Sequence, residues 1–324
     1  MNRPLRLTRA LAVIAPWLAA ALLPFTVGAQ PAAPAAAPAA APAAAPAVPA
    51  DTRPTLQRLR ESQVIRIGHR IDALPFAYLD AAKRPIGYGV DMCVEAVNLL
   101  RRDLKLPALR IEYVPVTAAN RIPLMREGKI DIECGLTVNN AERRRDVSFA
   151  IPYYFAGPRL LVPTGSPIRD FNQLANRRVG SAKGANVVPI LRDRIDRGIL
   201  KGTQLTEYGN NDLAFAALAK KEVDAYSTTD NLLFAYRATA PRPTDWEVVG
   251  DPPVVEPVAV MLRKDDREFK AAFDRALSSL MLDGVAARLY ARWFTMPVPP
   301  NNVVVDIPMS AVLRDQFRWP GDRD

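Results

Sequence analysis

The chain has 324 residues, and its 43 Lys and Arg against 34 Asp and Glu give it a formal net charge of +9 at pH 7. The basic residues are dispersed and form no stripe with interleaved aromatic residues, so we expect no nucleic-acid partner. One histidine and two cysteines do not provide the ligand spacing of a metal site, and we predict neither a metal nor a cofactor.

Residues 1–29 are predicted to be a secretory signal peptide. Three arginines precede an apolar run over residues 11–25, and Val27-Gly28-Ala29 supplies the small residues of a cleavage site before Gln30. The stretch is nearly long enough to span a bilayer, so an uncleaved anchor is the alternative. Two prolines in the apolar run and the alanine at the cleavage site favour removal, and we therefore expect a protein secreted to the periplasm.

Residues 30–54 are predicted to be a linker, since residues 31–50 contain 13 Ala, 6 Pro and one Val. Proline at every third or fourth position prevents a continuous helix, so this segment is a spacer outside the fold. Removing the three arginines of the signal leaves 40 basic and 34 acidic residues, a formal net charge of +6. Such a charge favours a small acidic ligand or an anionic surface.

Strands and helices alternate along the remaining chain. For its first part the hydrophobic pattern predicts strands over 64–68, 109–114 and 130–134 and helices over 90–104 and 119–127. This order is typical of βαβ units and predicts an open, mainly parallel sheet.

The same pattern restarts at residue 158. It predicts strands over 158–162, 178–181, 204–206, 225–227 and 255–262 and helices over 187–197, 213–220, 269–282 and 285–294. We therefore predict a two-lobed α/β fold in which residues 55–157 and 254–324 form lobe 1 and residues 158–253 form an inserted lobe 2. Two strands that cross between the lobes provide a hinge, and the ligand site lies between the lobes, beyond the carboxyl ends of the strands.

Cys93 and Cys134 are the two cysteines of the sequence. In an oxidising compartment they are predicted to form one disulfide, which joins the helix over 90–104 to the strand over 130–134. Two buried free thiols are the alternative.

Three arginines stand in separate motifs, namely Gly68-His69-Arg70, Asn120-Arg121-Ile122-Pro123-Leu124 and the segment 133–143, which ends in Arg143. A planar guanidinium binds a carboxylate through two parallel charge-assisted hydrogen bonds. Three guanidinium groups from separate segments indicate one cleft that binds a small carboxylate without transforming it. Three solvated surface arginines are the alternative.

Further motifs follow in order along the chain: Pro75-Phe76-Ala77-Tyr78, Gly87-Tyr88-Gly89-Val90-Asp91, Pro152-Tyr153-Tyr154, Asp245-Trp246-Glu247, Met261-Leu262-Arg263-Lys264 and Pro297-Val298-Pro299-Pro300. Together with the arginine motifs they resemble the periplasmic glutamate/aspartate-binding proteins of ABC importers, which are family 3 solute-binding proteins. The resemblance covers about residues 55–320. It implies the clam-like periplasmic-binding-protein fold, with two open, mainly parallel sheets joined by two crossover strands.

The resemblance also implies the partners and the roles of the arginines. The ligand would be a small anion (glutamate, aspartate or a similar dicarboxylate), and the partner an ABC permease in the inner membrane; we expect a monomer. Arg143 would clamp the α-carboxylate of the ligand, while Arg70 and Arg121 would reach its second carboxylate. Phe76 or Tyr78 would pack on the aliphatic part of the ligand.

Other predicted site residues are Leu136, Thr137, Val138, Gly184, Asn186, Asn211, Thr229 and Asp230. Several positions depart from the family pattern: Ala118, Leu136 and Val138 stand where it has small hydroxyl residues, Asn211 where it has a histidine and Thr229 where it has a carboxylate. Since the hydroxyl and the carboxylate would hold the ligand's ammonium group, we predict that this group contributes less here. Asp230, one residue after Thr229, is the alternative partner of the ammonium group.

Gly184-Ala185-Asn186 opens a helix whose free amides can hold an anion, with an ordinary helix cap as the alternative. His69 is predicted to position the loop that carries Arg70, with ligand contact as the alternative. Asp91 and Glu133 are the acids that we identify near these motifs, and Glu133 is the candidate acid or base for an enzyme. A periplasmic lyase or dehydratase on the same fold and a sensor-linked binding protein are the alternative functions; the sequence favours a binding protein that is not an enzyme.

Overall fold

The computed structural model of the chain describes residues 53–299 and 301–322. The predicted signal peptide and nearly all of the predicted linker lie outside these described residues. Within them, no helix has the length and apolar character needed to cross a membrane.

The strands are β1 Val64–His69, β2 Asp72–Ala73, β3 Ala77–Leu79, β4 Pro85–Ile86, β5 Arg110–Pro115, β6 Ile132–Glu133, β7 Ser148–Phe149, β8 Tyr154–Ala156, β9 Pro158–Pro163, β10 Arg178–Ala182, β11 Gln204–Tyr208, β12 Ala225–Thr229, β13 Trp246–Val249, β14 Glu256–Val258 and β15 Met261–Leu262. The helices are α1 Thr55–Ser62, α2 Tyr88–Asp103, α3 Arg121–Arg126, α4 Val187–Asp196, α5 Asn211–Ala219, α6 Asp230–Thr239, α7 Arg267–Leu282, α8 Val285–Phe294 and α9 Ala311–Arg318.

The first sheet has the strand order β5-β1-β6-β15-β7. β1 pairs in parallel with β5 and β6, and β15 pairs antiparallel with β6 and β7, so four of the five strands run in the same direction. Ile65 and Ile67 of β1 are fully buried. The helices α2, α7 and α8 pack against one another on this sheet. In α2, Cys93, Ala96 and Leu100 recur at helical spacing, which places them on one buried face.

The second sheet repeats this design with the order β11-β10-β12-β9-β13. β10 pairs in parallel with β11 and β12, whereas β9 pairs antiparallel with β12 and β13. Again four of the five strands run in the same direction. The predicted fold class, an α/β protein with two open and mainly parallel sheets, is confirmed.

Two crossover strands join the two sheets. β8 and β14 pair antiparallel with each other in a separate two-stranded ladder, with Tyr154 opposite Val258. β8 leads from the first sheet into β9 of the second, and β14 leads from the second sheet back into β15 of the first. The single strand predicted over residues 255–262 is wrong, because this segment pairs first with β8 and then, from Met261 onward, with β6 and β7.

The disulfide between Cys93 and Cys134 is confirmed. It joins α2 to the segment that follows β6, and both cysteines are fully buried. The two residues are 41 positions apart, and closing a loop of that size is worth about 3–4 kcal/mol in the chain-entropy description. The disulfide therefore fixes the start of the segment that leads to Leu136, Val138 and Arg143.

Candidate functional site

A small cavity lies between the two sheets. The first sheet and its loops contribute Arg70, Ala118, Arg121, Leu136, Val138 and Arg143, and the second sheet and its helices contribute Ala182, Ala185, Asn186, Asn211, Thr228, Thr229 and Leu232. Arg70 follows β1, Leu136 follows β6, and Thr229 ends β12. The cavity therefore lies beyond the carboxyl ends of parallel strands, where open α/β sheets bind ligands.

Arg121 is the first residue of α3 and is only 2% exposed. The turn before it is fixed by two reciprocal hydrogen bonds: the Thr117 amide donates to Asn120 Oδ1 over 2.7 Å, and the Asn120 amide donates to Thr117 Oγ1 over 3.1 Å. Among the described residues, no atom accepts a hydrogen bond from Arg121 Nε or Nη1. A buried guanidinium with unpaired donors is costly, so this position favours an incoming anion.

The pKa of Arg121 reflects the same environment. Burial, with a further contribution from the nearby Arg143, lowers the pKa of this guanidinium to about 9, while the buried Glu133 carboxylate acts in the opposite direction. At pH 7 Arg121 therefore still carries its charge. A ligand carboxylate beside it would stabilise the charged form and raise the pKa again.

Arg143 begins a short 3-10 helix, and its amide donates to Asn140 Oδ1 over 3.0 Å. Its guanidinium donates from Nη1 to the Val138 carbonyl over 3.0 Å and from Nη2 to the Gly184 carbonyl over 3.2 Å. Burial lowers the pKa of Arg143, and the Glu256 and Glu133 carboxylates oppose this shift. Since both acceptors are neutral carbonyls and a guanidinium has five N–H groups, Arg143 keeps charge and donors for a ligand.

Arg70 is paired differently. Its Nε and Nη2 both donate to Asp72 Oδ1, over 2.9 and 2.6 Å, and both side chains are nearly fully buried. The other carboxylate oxygen, Asp72 Oδ2, accepts a hydrogen bond from the Asn211 amide over 2.9 Å. Identifying only Asp91 and Glu133 as acids near the arginine motifs was wrong, since Asp72 contacts Arg70 directly. Its position two residues after Arg70 was the available signal.

The remaining wall of the cavity is mostly apolar, with Ala118, Leu136, Val138, Ala182, Ala185 and Leu232. Its polar groups are the side chains of Asn186, Asn211, Thr228 and Thr229. Asn186 Nδ2 donates to Glu256 Oε2 over 2.9 Å, and Thr229 Oγ1 has no partner among the described residues. The sequence had not drawn attention to Ala182, Thr228, Leu232 or Glu256, because none of them belongs to a charged motif.

Five predicted site residues do not line the cavity: Phe76, Tyr78, Thr137, Gly184 and Asp230. Phe76 is fully buried and packs edge-on against Tyr88 and Tyr154. The Tyr78 hydroxyl donates to the Pro299 carbonyl over 2.8 Å. Gly184 contributes the carbonyl that Arg143 contacts.

Thr137 and Asp230 have partners of their own. Thr137 Oγ1 donates to Glu133 Oε2 over 2.6 Å in a fully buried pair. Asp230 begins α6, its amide donates to the Gly157 carbonyl over 2.8 Å, and burial raises the pKa of its carboxyl group.

His69, Asn186 and Asp91 make local contacts. His69 Nδ1 lies 3.1 Å from the Arg70 carbonyl oxygen, and burial lowers the pKa of the imidazole. At the start of α4, Asn186 makes no side-chain capping bond and instead contacts Glu256. Asp91 Oδ2 accepts a hydrogen bond from Trp293 Nε1 over 2.8 Å.

The two-lobed fold places a cavity lined by Arg70, Arg121 and Arg143 between its two sheets. Residues 65–296 match the bacterial extracellular solute-binding proteins, family 3, and the chain belongs to this family. It is 33% identical over 270 residues to an L-glutamate/L-aspartate-binding protein of Pseudomonas aeruginosa, which covers 83% of this chain and 89% of that one. It is 32% identical over 269 residues to a glutamate/aspartate import solute-binding protein of Escherichia coli, with the same coverage.

A solved structure of similar shape is that of a cysteine-binding protein from Campylobacter jejuni. The TM-score is 0.66 at 25% identity, and the match covers 78% of this chain and 99% of that chain. The two sheets and their crossover strands are thus the architecture of a solute-binding protein.

Proposed function

We propose that this protein captures a small acidic amino acid or a related dicarboxylate in the periplasm and delivers it, as a monomer, to an ABC permease in the inner membrane. The observation that carries the proposal is the buried Arg121 guanidinium, whose Nε and Nη1 find no acceptor among the described residues. The similarity to glutamate- and aspartate-binding relatives supports the same chemistry.

In this proposal one carboxylate of the ligand binds to both Arg121 and Arg143, whereas the resemblance implied that Arg121 reaches the second carboxylate with Arg70. Both guanidinium groups line the cavity, and each retains N–H groups that can donate to carboxylate oxygens. Hydrogen bonds to charged groups contribute about 1.5–3 kcal/mol each, so two of them provide about 3–6 kcal/mol of binding free energy. The roles predicted above for the other site residues are proposed here as well.

The cavity offers few side-chain acceptors for the ammonium group of an amino acid. Leu136 and Val138 present no side-chain acceptor, and Thr229 offers a neutral hydroxyl. Asp230, the alternative partner, does not line the cavity, and burial raises the pKa of its carboxyl group. We therefore infer that dicarboxylates without an amine bind nearly as well as the corresponding amino acids.

The protein acts by binding rather than by catalysis. Glu133, the candidate acid or base, is fully buried, accepts a hydrogen bond from Thr137 and does not line the cavity. The relatives described above are named as binding and import proteins.

Calorimetric titration of the purified protein with glutamate, aspartate, glutarate and succinate tests the proposal. We expect at least one of these acids to bind with a dissociation constant of about 1 μM or lower, equivalent to about 8 kcal/mol. Absence of binding heat with all four acids would reject a dicarboxylate-binding function.

Cell fractionation and N-terminal sequencing test the location. We expect the protein in the periplasmic fraction, with Gln30 as its first residue, because the small residues before it fit a cleavage site. Retention of Met1 in a membrane fraction would instead support the anchored alternative.

A further inference from the structure

The ion pair between Arg70 and Asp72 occupies the edge of a guanidinium that lines the cavity. Arg70 Nε and Nη2 donate to Asp72 Oδ1 over 2.9 and 2.6 Å, and the two side chains are 4% and 2% exposed. A ligand carboxylate that approached this edge would need the same two donors for a bidentate contact. The protein's own carboxylate therefore occupies one of the two edges through which Arg70 could bind a second ligand carboxylate.

Asp72 is fixed in this position by the facing sheet. Its Oδ2 accepts from the Asn211 amide over 2.9 Å, and Asn211 Nδ2 donates to the Asp72 carbonyl over 3.3 Å. Asn211 is held in turn by the Tyr226 hydroxyl, which donates to Asn211 Oδ1 over 2.9 Å. These bonds connect β2 to the start of α5, so Asp72 cannot leave Arg70 without breaking contacts on both sides of the cavity.

The guanidinium groups of Arg121 and Arg143 do not have the bonded carboxylate that balances the charge of Arg70. Arg143 contacts two neutral carbonyls, and Arg121 has unpaired donors among the described residues. The three guanidinium groups therefore divide into two that can bind a ligand carboxylate and one whose charge is already balanced.

We propose that Asp72 is a specificity-determining residue, which pairs with Arg70 and so reduces the preference of the site for a ligand's second carboxylate. This inference rests on the proposed function, because it concerns how the same cavity distinguishes dicarboxylates from monocarboxylates. The first carboxylate binds at Arg121 and Arg143 in either class of ligand. Asp72 decides how much a second carboxylate adds.

The test compares Asp72→Asn with the wild-type protein by calorimetry, using glutarate and pentanoate, which have five carbons and differ in one carboxylate. Glutamate and glutamine form a second pair that differs in one charge. Asparagine keeps the shape of Asp72 but removes its charge, so Arg70 becomes available to the ligand. We expect the ratio of the pentanoate to the glutarate dissociation constant to rise at least about tenfold, since one charge-assisted contact is gained.

The ratio of the two dissociation constants distinguishes a change in specificity from a change in how easily the cavity closes. A weaker bond between residue 72 and Asn211 would affect both acids of a pair alike and would cancel in the ratio. The double variant Arg70→Gln/Asp72→Asn should return the ratio to about its wild-type value, because the gain requires both changes. Asp212→Asn is the matched control, since this nearby carboxylate accepts from the Tyr236 hydroxyl over 2.7 Å and does not bond to Arg70.

The outcomes distinguish the inference from the proposed function. The inference is wrong, and the proposed function stands, if the wild-type protein binds the dicarboxylates but the ratio is unchanged or lower in Asp72→Asn. For this comparison the variant must melt as cooperatively as the wild-type protein. If the wild-type protein binds none of these acids, the proposed function is wrong and the inference falls with it. An equal rise of the ratio in Asp212→Asn would also overturn the role of Asp72, because any loss of nearby negative charge would then suffice.

Discussion

Arg121 and Arg70 line the same cavity and are almost equally buried, but their surroundings differ in charge. Arg121 is 2% exposed and has unpaired donors among the described residues, whereas Arg70 is 3% exposed and donates twice to Asp72. The sequence motifs predicted the same ligand-binding role for both arginines. The contacts of a buried arginine, rather than its presence, therefore decide whether it can bind a ligand.

The largest effect is expected from Arg121→Gln, which removes a guanidinium whose Nε and Nη1 bond to no protein carboxylate among the described residues. We predict that the affinity for glutarate falls at least about a hundredfold, or about 2.7 kcal/mol, since a buried charge-assisted contact is lost. Calorimetry measures the change. Arg126→Gln is the control, because Arg126 lies in the same helix with a side chain that is 63% exposed and pairs with Asp146. Equal affinities of the two variants would remove the distinction between Arg121 and other arginines.

Arg143→Ala should have a smaller effect, at least about tenfold, or about 1.4 kcal/mol. Arg143 already donates to two protein carbonyls, so its removal loses ligand contacts and also the bond to Gly184 across the cavity. Titration with glutarate gives the affinity, and Arg144→Ala serves as a control on the adjacent residue. An unchanged affinity would show that the ligand carboxylate contacts Arg121 alone.

The pH dependence of binding tests whether Arg121 itself contacts the ligand. The pKa of Arg121 is about 9 in the unliganded protein, and a bound carboxylate raises it, so the complex takes up a proton above that pH. The affinity for glutarate should therefore be constant from about pH 7 to 8 and fall above about pH 9, approaching tenfold per pH unit. Glutarate itself does not titrate in this range. A constant affinity up to pH 10 would contradict the predicted coupling between Arg121 and the ligand.

The smallest effect is expected from removing the amine of the ligand. We predict that glutamate and glutarate differ less than about tenfold in affinity, or about 1.4 kcal/mol, because Leu136 and Val138 provide no side-chain acceptor for an ammonium group. Competition between the two acids measures the difference. If glutamate binds strongly and glutarate does not bind, another acceptor holds the amine, and Asp230 is then the first residue to mutate.

The sequence predicted the alternation of strands and helices well, because apolar periodicity reports burial directly. The helix over residues 285–294 agrees at both ends, and α2 begins two residues before its predicted start. The segment over 255–262 was predicted less well, since its division into two strands depends on which partners it meets along its length.

The site was predicted to a smaller extent. Arg121 and Arg143 could be found because charged residues within apolar patterns are conspicuous, and both line the cavity. Phe76 does not line it, because its ring packs among other aromatic residues that sequence order does not reveal. The sequence shows that Asp72 lies two residues after Arg70, but their pairing also depends on the conformation of the chain after β1 and on the contact with Asn211, which have no sequence signature.

A crystal structure of the protein with glutarate would show which arginine binds the ligand. We predict that one carboxylate of the ligand accepts hydrogen bonds from Arg121 Nε and Nη1 over about 2.7–3.2 Å, while Asp72 remains bonded to Arg70. A complex in which neither carboxylate contacts Arg121, or in which the ligand replaces Asp72 at Arg70 and leaves Arg121 without an acceptor, would contradict the proposed role of Arg121.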